Sequence, residues 1–505
     1  MIETHLSLLI VVIPLIAAPV IAIIPNGRMP WLLSTIVSWV VFALACWQLT
    51  NVLTGNVISY ELGGWAPPWG IEYRIDATNA LVALIVSGIA AVTLPYALLS
   101  IVKEIPEKQH SLFYSAFMLC LTGLLGITQT GDIFNLFVFL EISSLSSYAL
   151  ISMGKDRRAL TAAYQYLIMG TIGATFFLIG VGLLYAMTGT LNMADLAQRL
   201  PALYDHRTVH TAFAFIMVGF ALKLALFPLH LWLPNAYTYA PSVVTIFLAA
   251  TATKVAVYVM LRVIFSVFGY SFTQATPTDE LFILLCVIGI LIMSIAAIYQ
   301  TDAKRLLAYS SVAQIGYMML GIALGSMLSV TATLVHLFNH ALMKGALFMA
   351  IGAIVYQVGS SRLEHFNGLG KQMPWTFAAI VIGGLSLIGV PGTAGFISKW
   401  YLVLAAIEQQ HWLIVIVILV GSLLAVVYVW KIVEVLYFQP SDESVSASEI
   451  KEAPLMLLAP TWILVLANVY FGFDTELTVG TAQQAVQLLL PEVGQLGAGQ
   501  AGVVQ

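Results

Sequence analysis

The sequence predicts an all-α integral membrane protein that crosses the bilayer with about fourteen helices. Of its 505 residues, 60% are hydrophobic and only 9% are charged, whereas soluble proteins average about 25% charged residues. Apolar runs of about 20 residues, the length that a helix needs to cross a bilayer, recur along the whole chain. Basic residues are concentrated in alternate connections between these runs, which is typical of proteins with many membrane spans.

Each predicted span corresponds to one of these apolar runs. The fourteen spans lie at residues 5–24, 31–54, 77–100, 112–130, 131–153, 160–188, 210–238, 241–268, 279–299, 305–325, 329–357, 376–404, 411–438 and 455–475. The first is interpreted as a span and not as a cleaved signal peptide, because the residues before it include Glu3 and no basic residue.

The spans form four groups, and no soluble domain is predicted among them. Residues 1–111 hold three helices, residues 112–268 and 279–438 hold five helices each, and residues 439–505 hold the last helix. The polar loop before that helix, at 439–453, is predicted to be cytoplasmic. We expect the Gln- and Gly-rich tail after it to be mobile or to form a short surface helix.

The distribution of basic residues predicts the orientation of the chain. The connections on one predicted side carry Arg28, Lys103, Lys108, Lys155, Arg157, Arg158, Lys304, Arg305, Arg362, Lys371 and Lys451. The connections on the other side carry only Arg74, Arg199 and Arg207. Because basic connections face the cytoplasm, we expect a multi-pass protein of a bacterial-type inner or plasma membrane with both termini on the non-cytoplasmic side.

The cysteines give no sign of a cofactor. Cys46, Cys120 and Cys286 lie singly in apolar runs, with no C-x-x-C pair and no His/Cys cluster. Iron–sulfur, zinc and disulfide frameworks are therefore disfavoured, and we predict no cofactor, no bound metal and no nucleic-acid partner.

Several charged residues fall inside predicted spans, where each costs at least ~2.5–3.5 kcal/mol on insertion scales. Arg262 and Lys431 lie near span ends and are expected to extend their charged groups to the interface. The five that lie closer to mid-span are Glu141, Lys223, Lys254, Lys344 and Lys399. Glu141 is either satisfied by Ser143, Ser144 or Ser147 or paired with a lysine on another helix, and we favour the lysine.

Two spans are interrupted by helix-breaking residues, and each carries one of these lysines. Lys223 is followed by Pro228 and His230, whereas Pro391 lies shortly before Lys399. Lys254 follows the first broken span. Paired broken helices are typical of transporter sites at the interface of inverted repeats. If five spans form each repeat, spans four to eight match spans nine to thirteen, and the two broken helices correspond.

The eleventh span places His336, His340 and Lys344 on one helix face at intervals of four residues. A zinc site is disfavoured because no third ligand is evident, and two histidines one turn apart cannot sandwich a haem iron. The remaining alternatives are satisfied polar groups or a proton-carrying stripe, and we favour the stripe. Polar groups of the tenth span hold water or pack helices; they are Tyr309, Ser310, Ser311 and Gln314.

Five segments together resemble the antiporter-like subunit family that is shared by respiratory complex I, Mrp-type cation/proton antiporters and membrane-bound hydrogenases. They are FVFLEISSLSSYALI, ALKLALFPLHLWLPNAY, DAKRLLAYSSVAQIGYM, HLFNHALMKGALF and GVPGTAGFISKW. The resemblance implies fourteen helices with two inverted five-helix repeats, discontinuous seventh and twelfth helices, and a lateral proton path along the membrane plane. It identifies Glu141 and Lys223 as a pair and Lys254 as the connecting lysine. It also implies that His336, His340 and Lys344 are relay positions, and that Lys399 is the terminal residue. From their places at the two helix breaks, we predict that His230, Pro228 and Pro391 support this path.

Within the family, residues 162–197 most resemble the D subunits of Mrp-type antiporters, and Lys399 argues against the complex I subunit type that has glutamate there. We therefore predict a proton-translocating transporter subunit, not an enzyme unless it serves a redox-driven complex. Its expected partners are an A-like subunit, small membrane subunits, H+ and Na+. The alternatives are a pumping subunit of complex I or of a hydrogenase, and a stand-alone transporter.

Overall fold

The computed structural model describes residues 5–440 and 450–490, and most of these are helical. The first ten helices are α1 (Leu6–Ile23), α2 (Arg28–Leu53), α3 (Ala77–Glu104), α4 (His110–Gln129), α5 (Ile133–Ser152), α6 (Arg158–Thr188), α7 (Met193–Arg199), α8 (Arg207–Leu224), α9 (Trp232–Tyr239) and α10 (Ser242–Ala250). The others are α11 (Ala252–Leu261), α12 (Tyr270–Gln274), α13 (Thr278–Ile298), α14 (Ala303–Leu324), α15 (Met327–Val358), α16 (Pro374–Ile388), α17 (Ala394–Glu408), α18 (Trp412–Val433), α19 (Leu455–Phe473) and α20 (Thr481–Leu489).

Thirteen helical segments of the described chain are long and apolar enough to cross a membrane, and they coincide with thirteen of the predicted spans. The remaining predicted span, 376–404, consists of α16 and α17, of 15 residues each, separated by a short break. The predicted helical membrane fold with about fourteen spans is therefore confirmed.

Both predicted helix breaks are present. The seventh span stops at Leu224, where Ala225 adopts the left-handed conformation with φ +60°, and resumes at Trp232. The twelfth stops at Ile388, where Gly389 adopts φ +91° and caps the helix. Glycine suits this cap because it lacks the Cβ that makes left-handed backbone costly.

Two features of the backbone were not predicted. The eighth span is interrupted between α10 and α11 at Thr251, whose φ and ψ of −125° and −58° are not helical. The connection between α2 and α3 forms an antiparallel hairpin of β1 (Ile58–Glu61) and β2 (Glu72–Ile75), in which Ile58 pairs with Ile75.

The same local arrangement occurs once in each predicted five-helix group. Asp132 accepts a hydrogen bond from the Asn135 backbone at the start of α5, and it bridges to Asn192 after α6. Asp302 accepts from the Arg305 backbone at the start of α14, and it bridges to Arg362 after α15. Since α5 and α14 are the second helices of the two groups, this correspondence supports a repeat. That the repeats are inverted stays a prediction.

The charged spans lie at the centre of the molecule. In an 18-residue apolar stretch of the spans Ser242–Val267 and Ala303–Leu324, 94% of the residues are buried. In the corresponding stretch of Arg158–Thr188, only 39% are buried. Helix α15 lies among α3, α10, α14, α16, α17 and α19. The lysines of α11 and α15 therefore face protein and not lipid.

The chain beyond the last span is partly described. A π-helical turn, Glu476–Gly480, leads into α20, which buries Ala482, Ala485 and Val486 and packs against α3 and α15. This part of the predicted tail is thus a short helix with one buried apolar face. Residues 491–505 of the tail and residues 441–449 of the predicted polar loop lie outside the described residues.

Candidate functional site

The four mid-span lysines are all buried, with between 0% and 8% of each residue exposed. They lie on four different elements: Lys223 ends α8, Lys254 begins α11, Lys344 lies within α15 and Lys399 lies within α17. Each ammonium group meets a different set of acceptors.

Glu141 and Lys223 are in contact, as the sequence predicts. Lys223 Nζ lies 3.4 Å from Glu141 Oε1 and donates a shorter hydrogen bond of 2.7 Å to Ser144 Oγ. The lysine side chain is 6% exposed and the glutamate side chain is 26% exposed. Ser144, one of the three serines that were alternative partners of the carboxylate, therefore binds the lysine instead.

Helix α8 is held close to its neighbour α6 where two glycines face each other. A Cβ atom added to Gly173 of α6 would lie 2.9 Å from the carbonyl oxygen of Gly219 in α8. Real Cβ atoms are essentially never found that close to another atom, so only glycine permits this approach. The close fit fixes the end of α8, and with it Lys223.

A small cavity lies beside the Glu141–Lys223 pair. Its volume is about 30 Å³, and it is bounded by Ser144 and Lys223 on one side and by Val255 and Val259 of α11 on the other. This is enough space for about one water molecule, and hydroxyl and ammonium groups supply polar partners for it. The cavity separates Lys223 from the helix that carries Lys254.

Lys254 is bound by a carbonyl group at the unpredicted break in the eighth span. Its ammonium group donates to the carbonyl oxygen of Ala249, at the end of α10, and to Thr253 Oγ1 at 3.4 Å. The break at Thr251 brings this carbonyl within reach of the lysine, so a backbone dipole takes the place of a carboxylate. In the described parts of the chain Lys254 forms no ion pair.

The two histidines of α15 stack with their ring centres 5.7 Å apart and an angle of 9° between the rings. Nδ1 of His336 lies 2.8 Å from Ser398 Oγ of α17. Neither ring nitrogen of His340 has a hydrogen-bond partner among the described residues, although the side chain is fully buried. Among the described residues, hydrogen bonding within the helix bundle thus satisfies one ring nitrogen of His336 and neither ring nitrogen of His340.

Lys344 is the third polar group of this face. It donates to the Leu307 carbonyl at 2.8 Å and to Ser310 Oγ, both on α14. Of the other polar groups of the tenth span, Ser311 donates to the Leu307 carbonyl, and Gln314 Oε1 has no partner in the described chain. The tenth span therefore supplies the acceptors of Lys344.

Lys399 lies over the break in the twelfth span. Its Nζ donates to the carbonyl oxygens of Leu387 and Ile388, at 3.0 and 2.9 Å, and to Ser422 Oγ at 3.2 Å. These carbonyls end α16, where a helix carries partial negative charge, so a cation is favoured there. Ser398 next to it binds His336, and α17 thus brings Lys399 and the histidine face together.

The three residues that were predicted to support the proton path, His230, Pro228 and Pro391, form no hydrogen bond with the buried lysines in the described chain. His230 is buried with its ring stacked on Phe227 at 5.5 Å, and its Nδ1 has no partner among the described groups. Pro228 and Pro391 are exposed at the two breaks. The structure shows no contact of His230 with the lysines of the described chain.

Arg262 is bound by a partner that the sequence did not predict. Its guanidinium lies 2.5 Å from Asp76 Oδ1, and both side chains are nearly buried, at 12% and 11% exposure. Asp76 caps the start of α3, and nothing in the local sequence links it to a residue five spans later.

Two other lysines have backbone acceptors. Lys304, which the sequence places in a connection, is buried and donates to the Ala240 carbonyl at 3.3 Å. Lys431 donates to the carbonyls of Ile298 and Gln300, both at 2.8 Å. Side-chain burial of this kind depends on the packing of distant helices, and no local signal in the sequence predicts it.

Residues 130–425 match the protein family described as NADH:quinone oxidoreductase/Mrp antiporter, transmembrane, which is more than half of the chain. The chain belongs to this family. It is an antiporter-like, multi-pass membrane subunit, and the predicted resemblance is confirmed.

Two relatives and two solved structures illustrate the breadth of the family. NADH-quinone oxidoreductase subunit N of Desulforudis audaxviator is 41% identical over 96% of this chain and 99% of its own length. The D subunit of the Na+/H+ antiporter of Alkalihalophilus pseudofirmus is 31% identical over 88% of both chains. A chain of the membrane-bound sulfane sulfur reductase, an archaeal respiratory complex, superposes with a TM-score of 0.89 at 31% identity, over 97% of this chain and 99% of that one. A chain of the Mrp complex from Dietzia sp. also has a TM-score of 0.89, at 26% identity over 98% of both.

The four similar proteins are of two kinds, subunits of an antiporter or of the Mrp complex and subunits of respiratory or quinone-reducing complexes. All four are subunits of membrane complexes, and this supports other membrane subunits as partners of the chain. The names of two refer to cation/proton antiport or the Mrp complex, and those of the other two to respiratory or quinone-reducing complexes.

Proposed function

We propose that this chain moves protons across the membrane along its buried basic residues, as one subunit of a multisubunit complex. The observation that carries this proposal is the 3.4 Å contact between Glu141 and Lys223 inside the helix bundle. Ser144 accepts a hydrogen bond from the same ammonium group, so Lys223 keeps one acceptor when the carboxylate moves away. A pair that can open while the lysine keeps a hydrogen-bond acceptor is suited to switching the proton affinity of that lysine.

Opening the contact weakens the hold of the lysine on its proton, because a near carboxylate stabilises a charged amine and burial destabilises it. A change of one pK unit corresponds to ~1.4 kcal/mol, and moving one charge through 100 mV corresponds to ~2.3 kcal/mol. The two energies are comparable. Opening and closing of the pair can therefore be driven by an ion gradient or by a conformational change in a neighbouring protein of the complex.

The other buried groups extend the path sideways through the bundle. Lys254 takes the proton across the small cavity between α8 and α11, and His336, His340 and Lys344 carry it along α15. Lys399 exchanges it with one side of the membrane. Lys254, Lys344 and Lys399 are bound chiefly by carbonyl and hydroxyl oxygens, which stay in place whether the amine is charged or neutral. The breaks that supply many of these carbonyls also give the path polar backbone at membrane depth.

The first candidate for the complex is a monovalent cation/proton antiporter of the Mrp type, in which this chain exchanges H+ for Na+ beside an A-like subunit and small membrane subunits. The relationship to the D subunit of an Na+/H+ antiporter over 88% of both chains supports it.

The second candidate is the proton-pumping subunit of a redox-driven complex. It is favoured by the 41% identity to a quinone oxidoreductase subunit over nearly the full length of both chains. In such a complex the electron transfer belongs to other subunits, and this chain contributes proton movement alone.

Replacing Lys223 with alanine tests the proton path in either complex. Lys223→Ala is expected to abolish proton transport by the purified complex in proteoliposomes, while the subunits still purify together. Lys155→Ala, which removes an exposed lysine, is the control and should transport normally. Normal transport by Lys223→Ala would contradict the role proposed for the pair.

Mass spectrometry of the intact purified complex distinguishes the two candidates. Small membrane subunits without cofactors support the antiporter, whereas iron–sulfur or flavin subunits support the redox-driven complex.

A further inference from the structure

A polar cavity of about 630 Å³ opens at one end of the helix bundle, and none of the four mid-span lysines lines it. It is lined by four cationic side chains, Arg158, Arg305, Arg362 and Lys431, and by two acidic ones, Asp302 and Glu364. All six belong to span ends or connections that the distribution of basic residues places on the cytoplasmic side.

Two of the four cations are neutralised by carboxylates close to them in the chain. Arg362 lies 3.2 Å from Glu364. Arg158 donates to Asp156 at 2.5 Å, and these hydrogen bonds hold the pKa of Asp156 below its ordinary value.

The other two cations form no ion pair among the described residues. Lys431 donates only to backbone carbonyls. Arg305 has a buried Nε atom without a hydrogen-bond partner, and its guanidinium lies 6.0 Å from the centre of the Tyr309 ring. With Asp302 counted against them, they leave one net positive charge in the cavity. One phosphodiester group carries the matching negative charge.

Arg305 also lines a second groove of about 460 Å³ on the outside of the bundle, whose lining is more apolar than polar, although Gln165 and Asn235 contribute to it. The groove lies between α6 and α14, and its walls include Ile168 and Met169 of α6 and Leu231 at the helix break. Ile168 and Leu231 are 43% and 69% exposed, so the described chain leaves a large part of both side chains uncovered. A polar cavity and an apolar groove that share one arginine fit a molecule with an anionic head and a hydrocarbon tail.

We propose that this composite site binds an anionic phospholipid of the cytoplasmic leaflet, with its phosphate at Arg305 and Lys431 and an acyl chain in the groove. Basic pockets between membrane helices on the cytoplasmic side suit such head groups, and anionic lipids are concentrated in that leaflet. Leu231 and Trp232 of the groove belong to the interrupted seventh span, which also carries Lys223. A bound lipid therefore covers the outer side of the break.

Native mass spectrometry of the purified complex, exchanged into nanodiscs of phosphatidylglycerol and phosphatidylcholine, tests the site. Arg305→Gln removes the shared cation, and Ile168→Trp fills the groove without changing charge. Each is expected to reduce the phosphatidylglycerol retained by this chain about fivefold. The matched control is Arg157→Gln, one residue from Arg158 but outside the cavity, and it should retain lipid normally.

Three outcomes would overturn the site. One is equal retention in all variants, and another is loss in Arg305→Gln that inorganic phosphate reproduces by competition while Ile168→Trp has no effect. The latter would indicate a soluble anion instead of a lipid. The third is a crosslink from a photoreactive residue at position 231 to a helix of another protein in the complex and not to lipid.

Discussion

His336 and His340 lie one helical turn apart on α15 and meet different surroundings. Ser398 of α17 bonds His336, whereas both ring nitrogens of His340 are without partners in the described protein. A buried polar group that lacks a hydrogen bond costs about 1–3 kcal/mol, so packing alone gives no reason to keep a histidine at position 340. A proton relay gives one, because imidazole can accept and donate a proton in turn.

His340→Leu separates these two explanations. The substitution keeps an apolar side chain in the helix and removes two unsatisfied nitrogens. The melting temperature of the purified complex should therefore stay equal or rise, while proton transport falls about tenfold or more. His336→Leu is the comparison, since loss of its hydrogen bond should lower stability by about 1 kcal/mol. Normal transport by His340→Leu would exclude the residue from the proton path.

At the scale of elements, two of the helix breaks present carbonyl groups to the buried lysines. The break at Thr251 presents the Ala249 carbonyl to Lys254, and the break after Ile388 presents two carbonyls to Lys399. In the seventh span the Leu222 carbonyl accepts instead from the indole of Trp232, at 3.0 Å, and from the backbone N–H of Ala225, at 3.2 Å. The breaks thus satisfy buried cations without adding buried acids.

The sequence predicted two of the three breaks, for a clear physical reason. Pro228 and Pro391 cannot donate a backbone hydrogen bond, and both are exposed at an interruption of their span, whereas Pro95 and Pro460 lie inside continuous helices. Thr251 lies in a segment, LAATATKVAV, that has no proline or glycine, so no local residue demands an interruption. Contacts with surrounding helices decide it, and the sequence alone does not show those contacts.

The ion pair between Arg262 and Asp76 ties the end of the eighth span to the start of α3. Arg262→Met leaves the Asp76 carboxylate with two backbone N–H groups and no counter-charge. Loss of one partner of a buried pair costs about 3–5 kcal/mol, so the melting temperature of the complex should fall clearly.

The control for this prediction is Arg207→Met, which removes an exposed arginine on the same predicted side of the membrane. Its melting temperature should match that of the unmodified protein. Adding Asp76→Asn to Arg262→Met should recover part of the loss, because the uncompensated charge is then gone. If both arginine variants melt alike, the pair contributes nothing to stability.

At the scale of the whole molecule, the sequence predicted what depends on local composition. The number and position of the spans follow from hydropathy, and the contact of Glu141 with Lys223 follows from the family motifs. The hairpin of β1 and β2, the burial of Lys304 and the bridge from Arg262 to Asp76 depend on which distant segments meet. The contacts of His336 with Ser398 of α17 and of Lys344 with Ser310 of α14 likewise depend on which helices flank α15.

The repeated aspartate caps allow the predicted inversion to be tested directly. Asp132 and Asp302 make equivalent bridges, to Asn192 and Arg362. If the two groups of helices are inverted relative to each other, these bridges lie on opposite sides of the membrane. The distribution of basic residues predicts that the Asp132 bridge is outside and the Asp302 bridge is in the cytoplasm.

Single cysteines at exposed positions next to the two bridges report their sides. Gln198→Cys and Glu364→Cys are introduced separately after Cys46 is replaced by serine, while Cys120 and Cys286 are buried and remain. In right-side-out vesicles a membrane-impermeant maleimide should label position 198 and not 364, and in inverted vesicles the pattern should reverse. Labelling of both positions from one side would contradict the inverted repeat. Exchange of the two patterns would keep the inversion and reverse the predicted orientation of the chain.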